Sequence, residues 1–130
     1  DVEGEDPLLA AQRELLEEAD VTADHWAVLV DYFTSPGGLD EAIRVYLARG
    51  LHPVPASERH ERDGEEAHIV HRLVSLDEVA AAALAGDVHN STLIIAALAA
   101  RAARDAGWTS LRPADSPWPA HPGRRGGERA

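Results

Sequence analysis

The sequence predicts an α/β fold, and three observations carry that expectation. A stretch from Glu5 to Val21 has the periodicity of an amphipathic helix with an acidic face. Runs rich in β-branched and aromatic residues follow it on either side of a Ser-Pro-Gly turn. Two Ala- and Leu-rich helical stretches then occupy the region after residue 74. The expected element order is helix, strand, strand, loop, strand, helix, helix. At 130 residues the chain is at most one small domain, and 45% apolar residues are enough to bury a core.

The first helix is well marked at its start. Asp6 is a plausible N-cap, and Pro7 stands at the first helical position, where its missing N–H costs nothing. With each residue advancing roughly 100°, Glu17 and Glu18 fall within about 60° of Glu14 on one side or the other. Leu8, Leu9, Leu15, Leu16 and Ala19 lie on the opposite side, interrupted by Gln12. The front face therefore holds like charges at i,i+3 and i,i+4, each pair costing a few tenths of a kcal/mol. Arg13 can offset one of them through Glu17. A divalent cation would turn the remaining repulsion into a binding site, because Mg²⁺ favours a few carboxylates plus waters and phosphate oxygens. The alternative is an ordinary solvated acidic face.

His25 to Thr34 reads as a strand ending at the Ser35-Pro36-Gly37 turn. Glu41 to Arg49 fits strand or helix by periodicity alone, and the alternation of Ile43, Val45 and Leu47 favours the return strand. Gly50 to Glu66 is polar, charged and punctuated by Pro and Gly, so it reads as a long loop, a length often reserved for function. Ala67 to Val74 is the next strand. Ser75 caps a helix with Glu78 as its capping-box partner, and Gly86 stops it. Asn90 caps the last helix, which Gly107 closes. From residue 108 to 130 a Pro-, Gly- and Arg-rich tail lacks periodicity; Trp118 is the residue expected to dock, and the last residues are expected to be disordered. The domain proper is thus expected to span 1–107.

Charge narrows the partners. With 23 acidic and 12 basic residues the net charge is −11, which argues against nucleic acid and against an anionic membrane. The absence of cysteine excludes a disulfide scaffold and a thiolate zinc site. No run approaches a membrane span and no signal peptide is visible, so the cytoplasm is the default location. Without methionine and beginning in mid-motif, the chain reads as the C-terminal part of a longer protein.

The spacing from Glu5 through Arg13-Glu14, an aliphatic residue, Glu17-Glu18, Asp20 and Val21 resembles the signature of Nudix hydrolases. Asp20 stands where that signature has a Gly, and the leading Gly would fall before residue 1. Asp visits the left-handed region more readily than most residues, so the helix end can survive the change. Ser35-Pro36-Gly37 and Glu41, at their distance from this motif, resemble the ADP-ribose pyrophosphatase branch, where an ordinary Pro-Gly turn would be the rival account.

The resemblance implies a Nudix-type α/β/α sandwich with a mixed sheet, incomplete at the N-terminus. It implies metal-dependent hydrolysis of ADP-ribose, or a related nucleoside diphosphate derivative, to AMP and ribose 5-phosphate. Glu14, Glu17 and Glu18 would hold Mg²⁺, with Mn²⁺ possible, and Glu17 would join the catalytic set. Glu65, or failing that Glu66, would be the general base. Ser35, Gly37 and Glu41 would meet substrate, with Arg13 and Pro36 in structural roles, and the enzyme would be a homodimer. Three rivals stay open: another nucleotide sugar or dinucleotide as substrate, a non-catalytic association domain, and a fragment that keeps the helix without turnover.

Overall fold

The computed structural model describes residues 6–35, 41–58 and 74–119. Along them run α1 (Pro7–Ala19), β1 (Val21–Phe33), β2 (Ala42–Pro53), a 3-10 turn at Ala56–Glu58, α2 (Leu76–Leu84), α3 (Ser91–Asp105) and β3 (Arg112–Pro113). The strands form one sheet in the order β2-β1-β3. This is the α/β arrangement that the element order predicts. The expected strand at 67–74 falls almost wholly outside the described residues.

The chain divides into two compact units. One holds α1, β1 as far as Trp26 and β2 from Ala48; the other holds the rest of β1 and β2 with α2, α3 and β3.

In the first unit, α1 starts and stops on local signals. Asp6 takes the N-cap position, its main-chain O accepting from Ala10 N–H at 2.9 Å, but its side chain makes no cap hydrogen bond; Pro7 takes the first helical position. Asp20 ends the helix at φ 56°, ψ 43°, in the left-handed region, with its N–H on Leu16 O. The predicted tolerance of Asp for this position is therefore realised. The apolar back is less covered than the helical wheel suggests. Leu9 is 56% and Leu16 40% exposed, and no residue of α1 is fully buried.

The strands reach further than composition indicates. β1 begins at Val21 rather than His25, and β2 continues past Arg49 to Pro53, so the expected loop loses its first four residues. Pairing is the reason. Val54 N–H donates to Asp20 O at 2.8 Å, and Thr22 Oγ1 donates to His52 O at 3.5 Å. Bonds to Asp20 O, just before β1, and from the Thr22 side chain of β1 override the weak strand propensity of Gly and Pro.

Gly50 makes this extension possible. Its φ is +71°, and a Cβ there would lie 2.9 Å from both Cβ and Oδ2 of Asp24. Asp24 Cβ is fixed to its own backbone and cannot swing away. Gly50→Ala is therefore expected to lose about 1–3 kcal/mol, from left-handed strain plus the clash. Urea unfolding checks it, and a variant as stable as the parent would show that this strand end carries no such strain.

In the second unit, Thr34 N–H donates to Glu41 O at 3.1 Å where β1 and β2 approach their turn. β1 pairs antiparallel with β3, Ala27 opposite Pro113 and Val28 opposite Arg112. No parallel pairing occurs among the described residues. Val28 is fully buried. Ser75 Oγ accepts from Glu78 N–H at 3.0 Å and Asn90 Oδ1 from Leu93 N–H at 2.9 Å, so both caps sit where the sequence puts them. α2 and α3 pack on each other, and the buried residues they carry are alanines: Ala80, Ala97, Ala100 and Ala103. Arg104 donates to Asp77 across this pair at 2.7 Å and holds that carboxyl below its ordinary pKa.

Candidate active site

The acidic face of α1 is the chemically distinctive surface of the first unit. Helical spacing brings Glu14, Glu17 and Glu18 onto neighbouring turns. Glu14 and Glu18 are exposed and Glu17 is half-buried. Arg13 Nη1 donates to Glu17 Oε1 at 3.1 Å, the i,i+4 pair expected from the sequence. The pair orients one carboxylate of the three.

An all-oxygen, anionic donor set of this kind suits a hard divalent cation. Mg²⁺ keeps several of its waters and asks the protein for only one or two carboxylates. The residues present fit that requirement by their chemistry. Among the described residues no three acidic or histidine side chains converge into a ready-made cage. The three glutamates are thus brought to one face without being drawn to a single point.

On the opposite side of α1, at Gln12 and Leu16, lies a groove of about 280 Å³ lined by Gln12, Arg13, Leu16, Thr22, Ala23 and Trp26. Arg13 belongs to both features. Near the far end of the same unit, His52 Nε2 lies 2.8 Å from Asp24 Oδ2, with both side chains more than half exposed. Sequence reading missed both features. Nothing in the local pattern relates Asp24 to His52, which only strand pairing makes neighbours.

In the second unit, Ser35 follows β1 and Glu41 precedes β2. Thr34 Oγ1 donates to Glu41 Oε1 at 3.3 Å, in addition to the backbone bond between the same residues. The expected substrate residue Glu41 is thus held by β1. Pro36, Gly37, Glu65 and Glu66 lie outside the described residues.

The same hairpin carries an ion-pair cluster that sequence reading also missed. Arg44 Nε and Nη2 donate to the two oxygens of Asp31 at 2.8 and 3.0 Å, and Arg112 Nη2 donates to Asp31 Oδ2 at 2.9 Å. Arg44 is only 3% exposed and Asp31 26%. Burial pushes the Asp31 carboxyl upward, but the hydrogen bonds and charges of Arg44 and Arg112 outweigh it and leave its pKa below the ordinary value. The hydrogen bond to Asp31 raises Arg44 in turn. A signal was available: each of two adjacent apolar runs, VLVDYF and AIRVYL, contains one charge, and buried charges come in pairs.

Comparison with known proteins bears on the first of these surfaces. The NUDIX domain model matches residues 2–94, a span that contains all of α1 and the hairpin. An ADP-ribose pyrophosphatase of Mycobacterium tuberculosis is 43% identical over 118 residues, which cover 91% of this chain and 55% of that protein. A methanol dehydrogenase activator of Bacillus methanolicus is 46% identical over 48 residues, covering 37% of this chain and 26% of its own length. An ADP-ribose pyrophosphatase of Bacillus subtilis is 40% identical over 63 residues, covering 48% and 33%. The chain spans about half the length of the first of these curated relatives and less of the others. The acidic helix, the hairpin behind the turn and a family match over most of the sequence agree: the chain belongs to the NUDIX domain family.

Proposed function

We propose that this chain carries the hydrolytic helix of a metal-dependent pyrophosphatase that cleaves ADP-ribose to AMP and ribose 5-phosphate. One observation carries the reading. The Arg13-Glu14-Leu15-Leu16-Glu17-Glu18 run folds as a single helix that presents its three glutamates together, with Arg13 tied to Glu17. The similarity to two proteins named ADP-ribose pyrophosphatase supports ADP-ribose as the substrate.

Glu14, Glu17 and Glu18 would hold Mg²⁺ or Mn²⁺. A cation bound there supplies charge neutralisation for the diphosphate and an acidified water. Arg13 keeps Glu17 from turning to solvent. Glu65, with Glu66 as the alternative, takes the proton of the attacking water. The water oxygen forms the new bond to phosphorus, and the bond to the bridging oxygen breaks, so that the products leave as two monophosphates. Ser35, Gly37 and Glu41 contact the substrate, and Pro36 has a structural role. The reading includes a homodimer, a cytoplasmic location and no role for nucleic acid. No helix among the described residues is long and apolar enough to cross a membrane.

Product analysis tests this directly. With ADP-ribose and Mg²⁺, AMP and ribose 5-phosphate are expected in equal amounts, and chelation of the metal is expected to stop their release. Faster cleavage of another nucleotide sugar or dinucleotide would reassign the substrate within the family. Absence of turnover on every such compound, with either metal, would end the hydrolase reading.

A further inference from the structure

Arg44 uses its donor fork in two directions. Nε and Nη2 hold Asp31 on β1, as described above. Nη1 donates to Ser116 O at 2.8 Å, and Nη2 also donates to Pro117 O at 3.0 Å. The Trp118 ring covers the guanidinium, its centroid 4.9 Å from Cζ. Arg112, on the same C-terminal segment, reaches Asp31 as well. An ion pair that only neutralises a half-buried carboxylate needs none of the contacts to Ser116, Pro117 and Trp118. Those contacts require a planar, five-donor group, and an ammonium could not make them.

The position of the cluster matters as much as its chemistry. Asp31 lies three residues before Thr34, and Arg44 lies three residues after Glu41. The register that sets Thr34 against Glu41 therefore also sets Asp31 opposite Arg44, one short step along the same ladder. The C-terminal segment meets the hairpin on both sides of this pair, through β3 on β1 and through Ser116–Trp118 on Arg44 of β2.

We infer that Leu111–Trp118 is a clamp on the hairpin, and that Arg44 is the positioning residue through which the clamp fixes Glu41 beside Thr34. Its consequence for turnover rests on the proposed function, which gives Glu41 a substrate contact. The clamp itself does not. Release of the segment lets the end of the ladder fray, and Glu41 then samples orientations in which it no longer meets substrate. The effect is a weakened Michaelis complex with the chemistry at α1 unaltered.

Two variants separate the clamp from general stabilisation. Arg44→Lys keeps a positive charge opposite Asp31 but loses the fork. Trp118→Ala leaves the hairpin's own residues intact and loosens only the clamp, so it serves even if the first variant folds poorly. Hydrogen exchange is followed in peptides carrying Thr34 and Glu41, in the 111–118 segment, and in α2 and α3. In both variants the Thr34 and Glu41 peptides are expected to exchange roughly tenfold faster, with α2 and α3 unchanged. The KM for ADP-ribose is expected to rise about threefold or more, with kcat within about twofold of the parent.

Loss of protection in 111–118 without any change at Thr34 and Glu41 would overturn the inference. So would an equal loss throughout α2 and α3, which would mark Arg44 as a general stabiliser, or a fall in kcat with KM unchanged. If the parent protein does not hydrolyse ADP-ribose, the proposed function fails on its own, and the exchange pattern alone decides the clamp.

Discussion

A Glu17→Gln protein is expected to release AMP from ADP-ribose at least roughly 100-fold more slowly than the parent, since even residues that merely support metal ligands typically cost 10–100-fold when replaced. Its stability should hardly change. The substitution removes the bond from Arg13, a half-exposed i,i+4 pair worth about 0.3–0.5 kcal/mol. It also relieves the repulsion between Glu14 and Glu17, a term of similar size and opposite sign. Activity and folding are thereby separated at one residue. Rates measured across a Mg²⁺ titration, beside a thermal melt, give both readings. If the variant kept more than half of the parent's rate, Glu17 would not be a ligand and the acidic face would be solvated surface.

Arg44→Ala is expected to lose about 3 kcal/mol in urea unfolding, the low end for removing one partner of a buried ion pair because Arg112 still reaches Asp31. The loss combines an under-compensated carboxylate with two carbonyls, of Ser116 and Pro117, that lose their donor. The carboxylate side has a pH signature. Asp31 titrates below its unfolded value of about 3.9, so it contributes stability that is complete above that pH and fades as pH falls through the lower folded value. An Asp31→Asn protein should therefore be less stable than the parent at neutral pH, and the gap should narrow below about pH 4. Unfolding curves at pH 7 and pH 3 compare the two. A gap that stayed constant, or widened in acid, would mean that Asp31 is not held as its charged form.

The parts of this molecule that are legible in its sequence are those whose causes are local. The start of α1 at Asp6 and Pro7, its end at Asp20, and the caps at Ser75 and Asn90 depend on residues within one turn of each other. The acidic face of α1 is legible for the same reason, since one helix determines the spacing of Glu14, Glu17 and Glu18. The extension of β2 to Pro53 was hidden because a polar, Pro-containing stretch is held as strand by partners some thirty residues away in β1. β3 was hidden more deeply: two residues in a stretch without periodicity become a strand because β1 offers an edge. Arg44 and Asp31 stood in plain view as charges within apolar runs. Their link to Ser116 and Pro117 has no local signature at all.

The buried alanines of α2 and α3 have a thermal consequence. A buried alanine removes little apolar surface from water and surrenders no rotamer freedom. Ala80, Ala97, Ala100 and Ala103 therefore enter the core with small opposing terms, where buried leucines would set two large ones against each other. Since the heat-capacity change of unfolding scales with the apolar area exposed, these four residues contribute little to it. Their share of the stability should vary gently with temperature, weakening less in the cold than that of larger buried side chains.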